Sequence, residues 1–178
     1  RGGAARADAR ERVALHEHLA VKGVVGRDDA SFEEDLAGIA EDGDLGRAEQ
    51  AFGRIDILVN NAGIGADRAA VEDIDEAMYD RMFAVHVKGS FFTTRAVVPG
   101  MRRHKSGAIV NVSSIIAHTG FNGLSVYAAT KAALQGFTRS LARELGRVNI
   151  TVNTIAPGYM ATDMSSGLDD DKLGAIRR

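Results

Sequence analysis

Residues 107–131 read GAIVNVSSIIAHTGFNGLSVYAATK, a stretch that contains one predicted strand and the beginning of one predicted helix. Ala108–Val112 is a short apolar run between small residues, which is typical of a buried parallel strand. From about Ser125 the apolar residues recur three and four positions apart as far as Leu145. This spacing predicts an amphipathic helix that packs on a sheet.

The pattern of strand and helix repeats on both sides of this stretch. Ile55–Val59 is a second short apolar run, and Asn149–Ile155 alternates β-branched residues. Between the first two strands, Asp75–Met101 has the spacing of a long helix with a bend near Gly89 or Pro99. Three strands that alternate with two long helices predict an α/β fold, a Rossmann-like doubly wound parallel sheet that is incomplete in this chain.

The first part of the chain is charged and rich in alanine and glycine, and it predicts helices with less definite ends. These helices are expected near Asp8–Ala20, Ser31–Ala40 and Leu45–Phe52. No linker or repeat interrupts the rest of the sequence. We therefore predict one partial domain over residues 1–178, in which residues 53–176 are the best supported.

Composition excludes several classes of function. A net charge of −2 gives no basic field for nucleic acid, and no apolar run has the length of a membrane span. Without cysteine there are no disulfides, thiolate nucleophiles or cysteine-ligated metals, which fits a cytoplasmic protein. His16 and His18 lack a third ligand, so we predict no metal site.

Three residues on the predicted elements form a candidate proton-transfer site. Tyr127 and Lys131 are four positions apart, so they share one helix face about 6 Å apart along the axis. A lysine charge at that position would stabilise a tyrosine phenolate. Ser114 follows a predicted strand, and chemistry in α/β sheets gathers beyond the carboxyl ends of strands. Taken singly, the three fit a packed aromatic, a solvated charge and a turn residue.

Four motifs in the same order carry a family resemblance. They are Tyr127-x-x-x-Lys131, Ser114 thirteen residues upstream, the sequence Asn-Asn-Ala-Gly at residues 60–63 and the sequence Pro-Gly-Tyr-Met-Ala-Thr at residues 157–162. Together they resemble the classical short-chain dehydrogenase/reductase family. Within the family, the sequence is most similar to the 3-oxoacyl-acyl-carrier-protein reductase branch.

The resemblance implies an NAD(P)-dependent oxidoreductase that interconverts a carbonyl and a secondary alcohol, with a small molecule or a 3-oxoacyl thioester as substrate. Tyr127 would exchange the proton, and Ser114 would hold the substrate oxygen together with Tyr127. Lys131 would stabilise the phenolate and hold the nicotinamide ribose. NAD against NADP is undecided, and a homodimer or homotetramer through the two long helices is implied. The cofactor-binding residues would be Asn60, Ala62, Gly63, Tyr127, Lys131, Pro157, Gly158, Met160 and Thr162.

His86 occupies the position at which the family commonly has an asparagine, whose main chain holds a water of the proton relay. Some hydroxyacyl-CoA dehydrogenases of the family resemble this sequence there. We count His86 as a catalytic candidate with three open roles: holding the water through its backbone, joining the relay with its ring, or packing.

The family's opening motif, Thr-Gly-x-x-x-Gly-x-Gly between a strand and a helix, is not found in this sequence. The resemblance covers about residues 53–176. We expect the chain to be an incomplete record or a fragment of a full reductase. The alternatives are a truncated, non-enzymatic Rossmann-like scaffold or interaction protein, and an enzyme that uses the same triad on another carbonyl or a sugar nucleotide.

Overall fold

Three parallel strands form the sheet in the computed structural model, which describes Leu45, residues 53–65 and residues 68–160. Strand β1 is Ile57–Asn60, β2 is Gly107–Val112 and β3 is Ile150–Ile155. Their order in the sheet is β1-β2-β3, and both pairs are parallel. The predicted α/β fold with a Rossmann-like parallel sheet is therefore confirmed.

A continuous helical segment connects β1 to β2. It consists of α1 (Glu76–Phe83), a π-helix (Ala84–Gly89) and α2 (Ser90–His104). The Asp75 carboxylate caps its beginning by accepting a hydrogen bond from the amide of the third helical residue at 2.6 Å. The irregularity predicted near residue 89 is the π-helix, whereas Pro99 lies inside α2 without ending it. The segment therefore forms one long helix with a local change of winding.

The second crossover contains α3 (Ile116–Thr119) and α4 (Ser125–Leu145). Short 3₁₀ turns occur at Val71–Asp73, before α1, and at Gly146–Val148, after α4. The predicted helix from Ser125 is confirmed, and it ends at Leu145. Its buried face holds apolar side chains, as the spacing indicated. It also buries four polar side chains, namely Thr130, Lys131, Gln135 and Thr138.

Both long helices pack on the same face of the described strands. Val97 and Met101 of α2 and Leu145 of α4 share one core with apolar residues that alternate along the strands. The opposite face carries Ile57 and Ile155, which are 43% and 53% exposed. Within residues 53–65 and 68–160 no helix covers that face, so only one layer of the predicted doubly wound arrangement is described.

A polar row crosses the sheet next to this core. Asn60, Asn111 and Thr154 are register partners on the three strands. The side-chain amide of Asn60 donates to Asn111 Oδ1 at 2.7 Å, and the side-chain amide of Asn111 donates to Thr138 Oγ1 of α4 at 2.8 Å. Thr93 of α2 donates to Asn60 Oδ1 at 2.7 Å. This network fixes the strand register and both helices at the level where the strands end.

Several strand boundaries differ from the sequence prediction by one or two residues, most of all in β1. Strand β1 begins at Ile57 instead of Ile55, and it includes Asn60, which was placed in the following turn. The strand extends to Asn60 because this residue pairs with Asn111 across the sheet, a contact that no local sequence pattern reveals. The helices predicted at Asp8–Ala20, Ser31–Ala40 and Leu45–Phe52 lie outside the described residues, apart from Leu45 itself.

None of the helices within residues 53–65 and 68–160 combines the length and the apolar character that a membrane span needs.

Candidate active site

Ser114 lies where β2 ends and α3 is about to begin. It is buried, and its Oγ accepts a hydrogen bond from the Ile116 amide at 3.2 Å. The preceding Ser113 donates its hydroxyl proton to the Lys131 carbonyl oxygen at 2.8 Å. This bond joins the end of β2 directly to the middle of α4.

Tyr127 and Lys131 project from α4 toward the same strand end. Lys131 Nζ donates to the Val112 carbonyl oxygen at 3.0 Å, two residues before Ser114. The same nitrogen lies 5.7 Å from the centroid of the Tyr127 ring. The structure thus brings the predicted serine, tyrosine and lysine to the carboxyl end of β2.

Burial makes Lys131 an unusual lysine. Only 5% of the residue is exposed, and burial lowers the pKa of its ammonium to about 8. The group is still mostly protonated at neutral pH. One of the three N–H groups of this ammonium donates a hydrogen bond to the Val112 carbonyl oxygen, and the other two can donate to a ligand.

The turn after β1 lies against this lysine. A Cβ atom built on Gly63 would lie 3.5 Å from Lys131 Nζ and 3.4 Å from His86 Nε2, so a larger side chain would fill the space between the turn and the two groups. The glycine thus brings the main chain of the turn and the lysine charge to one place at the strand ends.

His86 is fully buried in the π-helix, and both of its ring nitrogens have partners. The Ile64 amide donates to Nε2 at 2.9 Å, and Nδ1 lies 2.8 Å from Thr130 Oγ1. The ring meets the Tyr127 ring edge-on with centroids 5.6 Å apart. Its carbonyl oxygen accepts the Ser90 hydroxyl proton at 2.7 Å. His86 is therefore part of the site, held on every side by protein groups.

The imidazole of His86 is neutral at physiological pH. Burial, and secondarily the charge of Lys131, lower its pKa to about 4, although a hydrogen bond from the protonated ring to the Ile64 carbonyl oxygen acts in the opposite direction. A second positive charge therefore does not oppose Lys131.

Acid should lower the stability of the protein because His86 is buried in its neutral form. An unfolded histidine binds its proton near pH 6.5 and the folded one only near pH 4, so between these values the unfolded state binds more protons. We expect the free energy of unfolding to fall by up to about 3 kcal/mol as the pH decreases from 6.5 to 4, since each pKa unit corresponds to about 1.4 kcal/mol. Urea unfolding curves across this range measure the change.

The variant His86→Gln cannot titrate, so it should lose that part of the acid dependence. His104→Gln, at an exposed position at the end of α2, serves as the matched control and should keep it. An acid dependence that is equal in the wild type and in His86→Gln would contradict the assignment.

The other predicted cofactor-binding residues differ in burial and in their contacts. The Asn60 side chain is buried and bonded inside the polar row. The Pro157 carbonyl oxygen accepts from the Ile115 amide at 2.9 Å, which joins this segment to the residue after Ser114. Gly158 is exposed and Met160 is 59% exposed. Thr162 lies outside the described residues, and so do His16 and His18. The roles of these residues stay predictions.

Sequence reasoning missed Thr130, which contacts His86 and donates its hydroxyl proton to the Tyr127 carbonyl oxygen at 2.8 Å. The sequence feature that could have identified Thr130 is a polar residue on the apolar stripe of α4, between Tyr127 and Lys131. Gln135 is a second case: its amide donates to Ser113 Oγ at 3.1 Å and contacts His118. Gln135 thus connects the end of β2 to α3.

In the part of the chain that the structure describes, no group of three or more acidic or histidine side chains could hold a metal ion.

A reduced or oxidised nicotinamide fits these residues. It needs donors for ribose hydroxyls, and the buried ammonium of Lys131 has N–H groups that could serve as such donors. It also needs a main chain without a side chain in the way, and Gly63 provides that next to the same ammonium.

Comparisons with known proteins give matches over much of the chain. Residues 34–173 match the sequence profile of the short-chain dehydrogenase family. A 3-oxoacyl-acyl-carrier-protein reductase of Staphylococcus epidermidis is 43% identical over 120 residues, which are 67% of this chain and 49% of that protein. Carbonyl reductase family member 4 of Xenopus laevis is 40% identical over 125 residues, 70% of this chain and 52% of that protein.

Among solved structures, ElxO with NADP bound superimposes with a TM-score of 0.72 at 29% identity. The match covers 83% of this chain and 60% of that one. The chain spans about half the length of the curated relatives it matches.

Proposed function

The chain belongs to the short-chain dehydrogenase family, and from that membership we propose that it interconverts a carbonyl and a secondary alcohol with NADP or NAD as cofactor. One observation carries the proposal. The Tyr127 ring, the buried ammonium of Lys131 and the Gly63 turn meet at the carboxyl ends of β1 and β2. A proton donor is thereby combined with a position for a nicotinamide.

The protein's part in the reaction is a proton transfer to the substrate oxygen. Tyr127 gives its hydroxyl proton to the carbonyl oxygen during reduction and takes it back during oxidation. Because Ser114 Oγ already accepts the Ile116 amide proton, its own hydroxyl proton is free to bind the same oxygen. The Lys131 ammonium stabilises the phenolate that Tyr127 becomes. A bound nicotinamide supplies or accepts the hydride.

We assign cofactor binding to two groups of residues. The Lys131 ammonium and the main chain at Gly63 would hold the nicotinamide ribose. The main chain and side chains of the other predicted positions would border the rest of the cofactor. These positions are Asn60, Ala62, Tyr127, Pro157, Gly158, Met160 and Thr162.

A 3-oxoacyl thioester is our specific substrate proposal. Its support is the identity of 43% with a protein named 3-oxoacyl-acyl-carrier-protein reductase. Assays with acetoacetyl thioesters, simple ketones and sugars, each with NADPH and with NADH, test it. Faster turnover of the thioester supports the proposal, whereas a preference for ketones or sugars would replace the substrate and keep the chemistry. A protein that neither binds nor turns over either cofactor would instead be a scaffold.

We also propose self-association through the two long helices. Phe91 of α2 is 48% exposed, and its ring packs on the Phe137 ring of α4 with centroids 5.6 Å apart. Phe91 is exposed and Phe137 is partly buried, and the two rings lie where two helices could meet a second copy. Light scattering should give the mass of a dimer or a tetramer, and Phe91→Asp should lower it. A monomeric wild type would contradict the proposal.

A further inference from the structure

The imidazole of His86 lies between two elements that are far apart in sequence. On one side is the turn after β1, through the Ile64 amide at 2.9 Å from Nε2. On the other side is α4, through Thr130 Oγ1 at 2.8 Å from Nδ1. The ring is fully buried, and so is Thr130. His86 thus joins the turn that contains Gly63 to the helix that contains Tyr127.

The directions of these hydrogen bonds select one tautomer. Because Nε2 accepts the Ile64 amide proton, the proton of the neutral ring must sit on Nδ1. The Thr130 hydroxyl gives its own proton to the Tyr127 carbonyl oxygen at 2.8 Å, so its oxygen is open to accept from Nδ1. Nε2 also lies 3.2 Å from the Ile64 carbonyl oxygen, but a proton on Nε2 would face the Ile64 amide proton.

We propose that His86 and Thr130 form a neutral hydrogen-bonded clamp that positions the Gly63 turn against Tyr127 and Lys131. Its effect on turnover rests on the proposed function, whereas its hydrogen bonds do not. The clamp reaches both catalytic residues, since the His86 ring packs edge-on against Tyr127, and a Cβ atom built on Gly63 would lie 3.5 Å from Lys131 Nζ. A displaced ring would therefore move the turn relative to the proton donor.

His86 holds the site together and does not carry the proton. Both ring nitrogens are used inside the protein, and no part of the ring reaches solvent. Its main-chain oxygen, a candidate for holding a water, accepts the Ser90 hydroxyl proton at 2.7 Å. A proton relay through the ring would have to break the bond to Ile64 or the bond to Thr130. His86 and Thr130 are thus positioning residues.

The matched pair Thr130→Val and Thr130→Ser tests the clamp. Valine keeps the volume of threonine and leaves the Nδ1 proton without an acceptor, whereas serine keeps the hydroxyl. We expect Thr130→Val to lower kcat/KM by about tenfold or more, since a displacement of about 1 Å at a reacting group costs on the order of 10²-fold. Thr130→Ser should recover most of the loss. The pH profile should keep its shape in both variants, because the clamp does not titrate in the range of the profile.

A structural measurement separates this inference from the proposed function. Nitrogen-15 NMR of the imidazole, assigned with His86→Gln, should show a protonated Nδ1 and a bare Nε2 at neutral pH. Hydrogen exchange of the Ile64 amide should become about tenfold faster in Thr130→Val and recover in Thr130→Ser, the factor expected for one lost hydrogen bond.

The opposite tautomer, or equal exchange and equal turnover in the valine and serine variants, would overturn the clamp. A shifted pH profile in Thr130→Val would instead make His86 a proton carrier and overturn it as well. A wild type that turns over no carbonyl compound refutes the proposed function alone, because the NMR and exchange results still decide whether the clamp exists.

Discussion

Replacing Tyr127 by phenylalanine is expected to lower kcat by about 10³-fold, within the range of about 10²–10⁴ that a positioned proton donor contributes. The substitution removes one hydroxyl and keeps the ring that packs edge-on against His86. Cofactor affinity should therefore fall much less than kcat, because the Lys131 ammonium, the Gly63 turn and the ring at position 127 remain in place. Steady-state kinetics together with a direct cofactor titration measure the two effects separately.

Tyr79→Phe is the matched control for this variant. Tyr79 lies on α1, is 44% exposed and stacks on Phe83, so it loses the same hydroxyl outside the site. Its kcat should stay within about twofold of the wild type. A Tyr127→Phe enzyme that keeps most of its kcat would show that another group supplies the proton.

Replacing Lys131 by methionine should lower activity by a comparable factor. It should also remove the pH dependence of the unfolding free energy that comes from the buried ammonium. Without the ammonium, the phenolate of Tyr127 and the ribose hydroxyls both lose their partner, so we expect kcat/KM to fall by about 10³-fold. The loss should appear in cofactor affinity as well as in kcat, which distinguishes it from Tyr127→Phe. Kinetics and cofactor titration of the same preparation check both parts.

The stability effect follows from the lowered pKa of Lys131. An unfolded lysine keeps its proton up to pH 10.5, whereas the folded one loses it near pH 8, so the unfolded state binds more protons between these values. The wild type should gain up to about 3 kcal/mol of unfolding free energy across that range relative to Lys131→Met, at about 1.4 kcal/mol per pKa unit. Arg143→Met, an exposed position on the same helix, should follow the wild type. Parallel pH dependence of the wild type and Lys131→Met would contradict the burial of the charge.

Much of the fold followed from sequence periodicity because the periodicity reflects which face of each element is buried. The apolar spacing from Ser125 to Leu145 predicted α4 over its whole length, and the β-branched run before Pro157 predicted β3. Strand β1 begins two residues later than predicted, and it also ends one residue later. Asn60 extends that strand through its pairing with Asn111, and a pairing between distant segments leaves no trace in local spacing.

The site was predictable only as far as its residues lie on predicted elements. Ser114 follows a clear strand, and Tyr127 and Lys131 share one helix face, so their meeting at the strand end could be inferred. The partners of His86 could not, since Ile64 and Thr130 lie on separate elements and their contacts depend on how α4 packs against the turn. Buried polar residues such as Thr130 interrupt an apolar stripe, and their pairing is visible only in three dimensions.

The most direct test of the account is the fate of hydrogen at the carbonyl carbon. The protein is incubated with NADPH or NADH deuterated at the transferable position and with an acetoacetyl thioester or a simple ketone, and the alcohol is analysed by mass spectrometry. We predict one deuterium on the new carbinol carbon with the wild type and a yield lower by about 10³-fold with Tyr127→Phe. An alcohol without deuterium, or equal yields of labelled alcohol from both proteins, would contradict a nicotinamide-dependent reduction with Tyr127 as the proton donor.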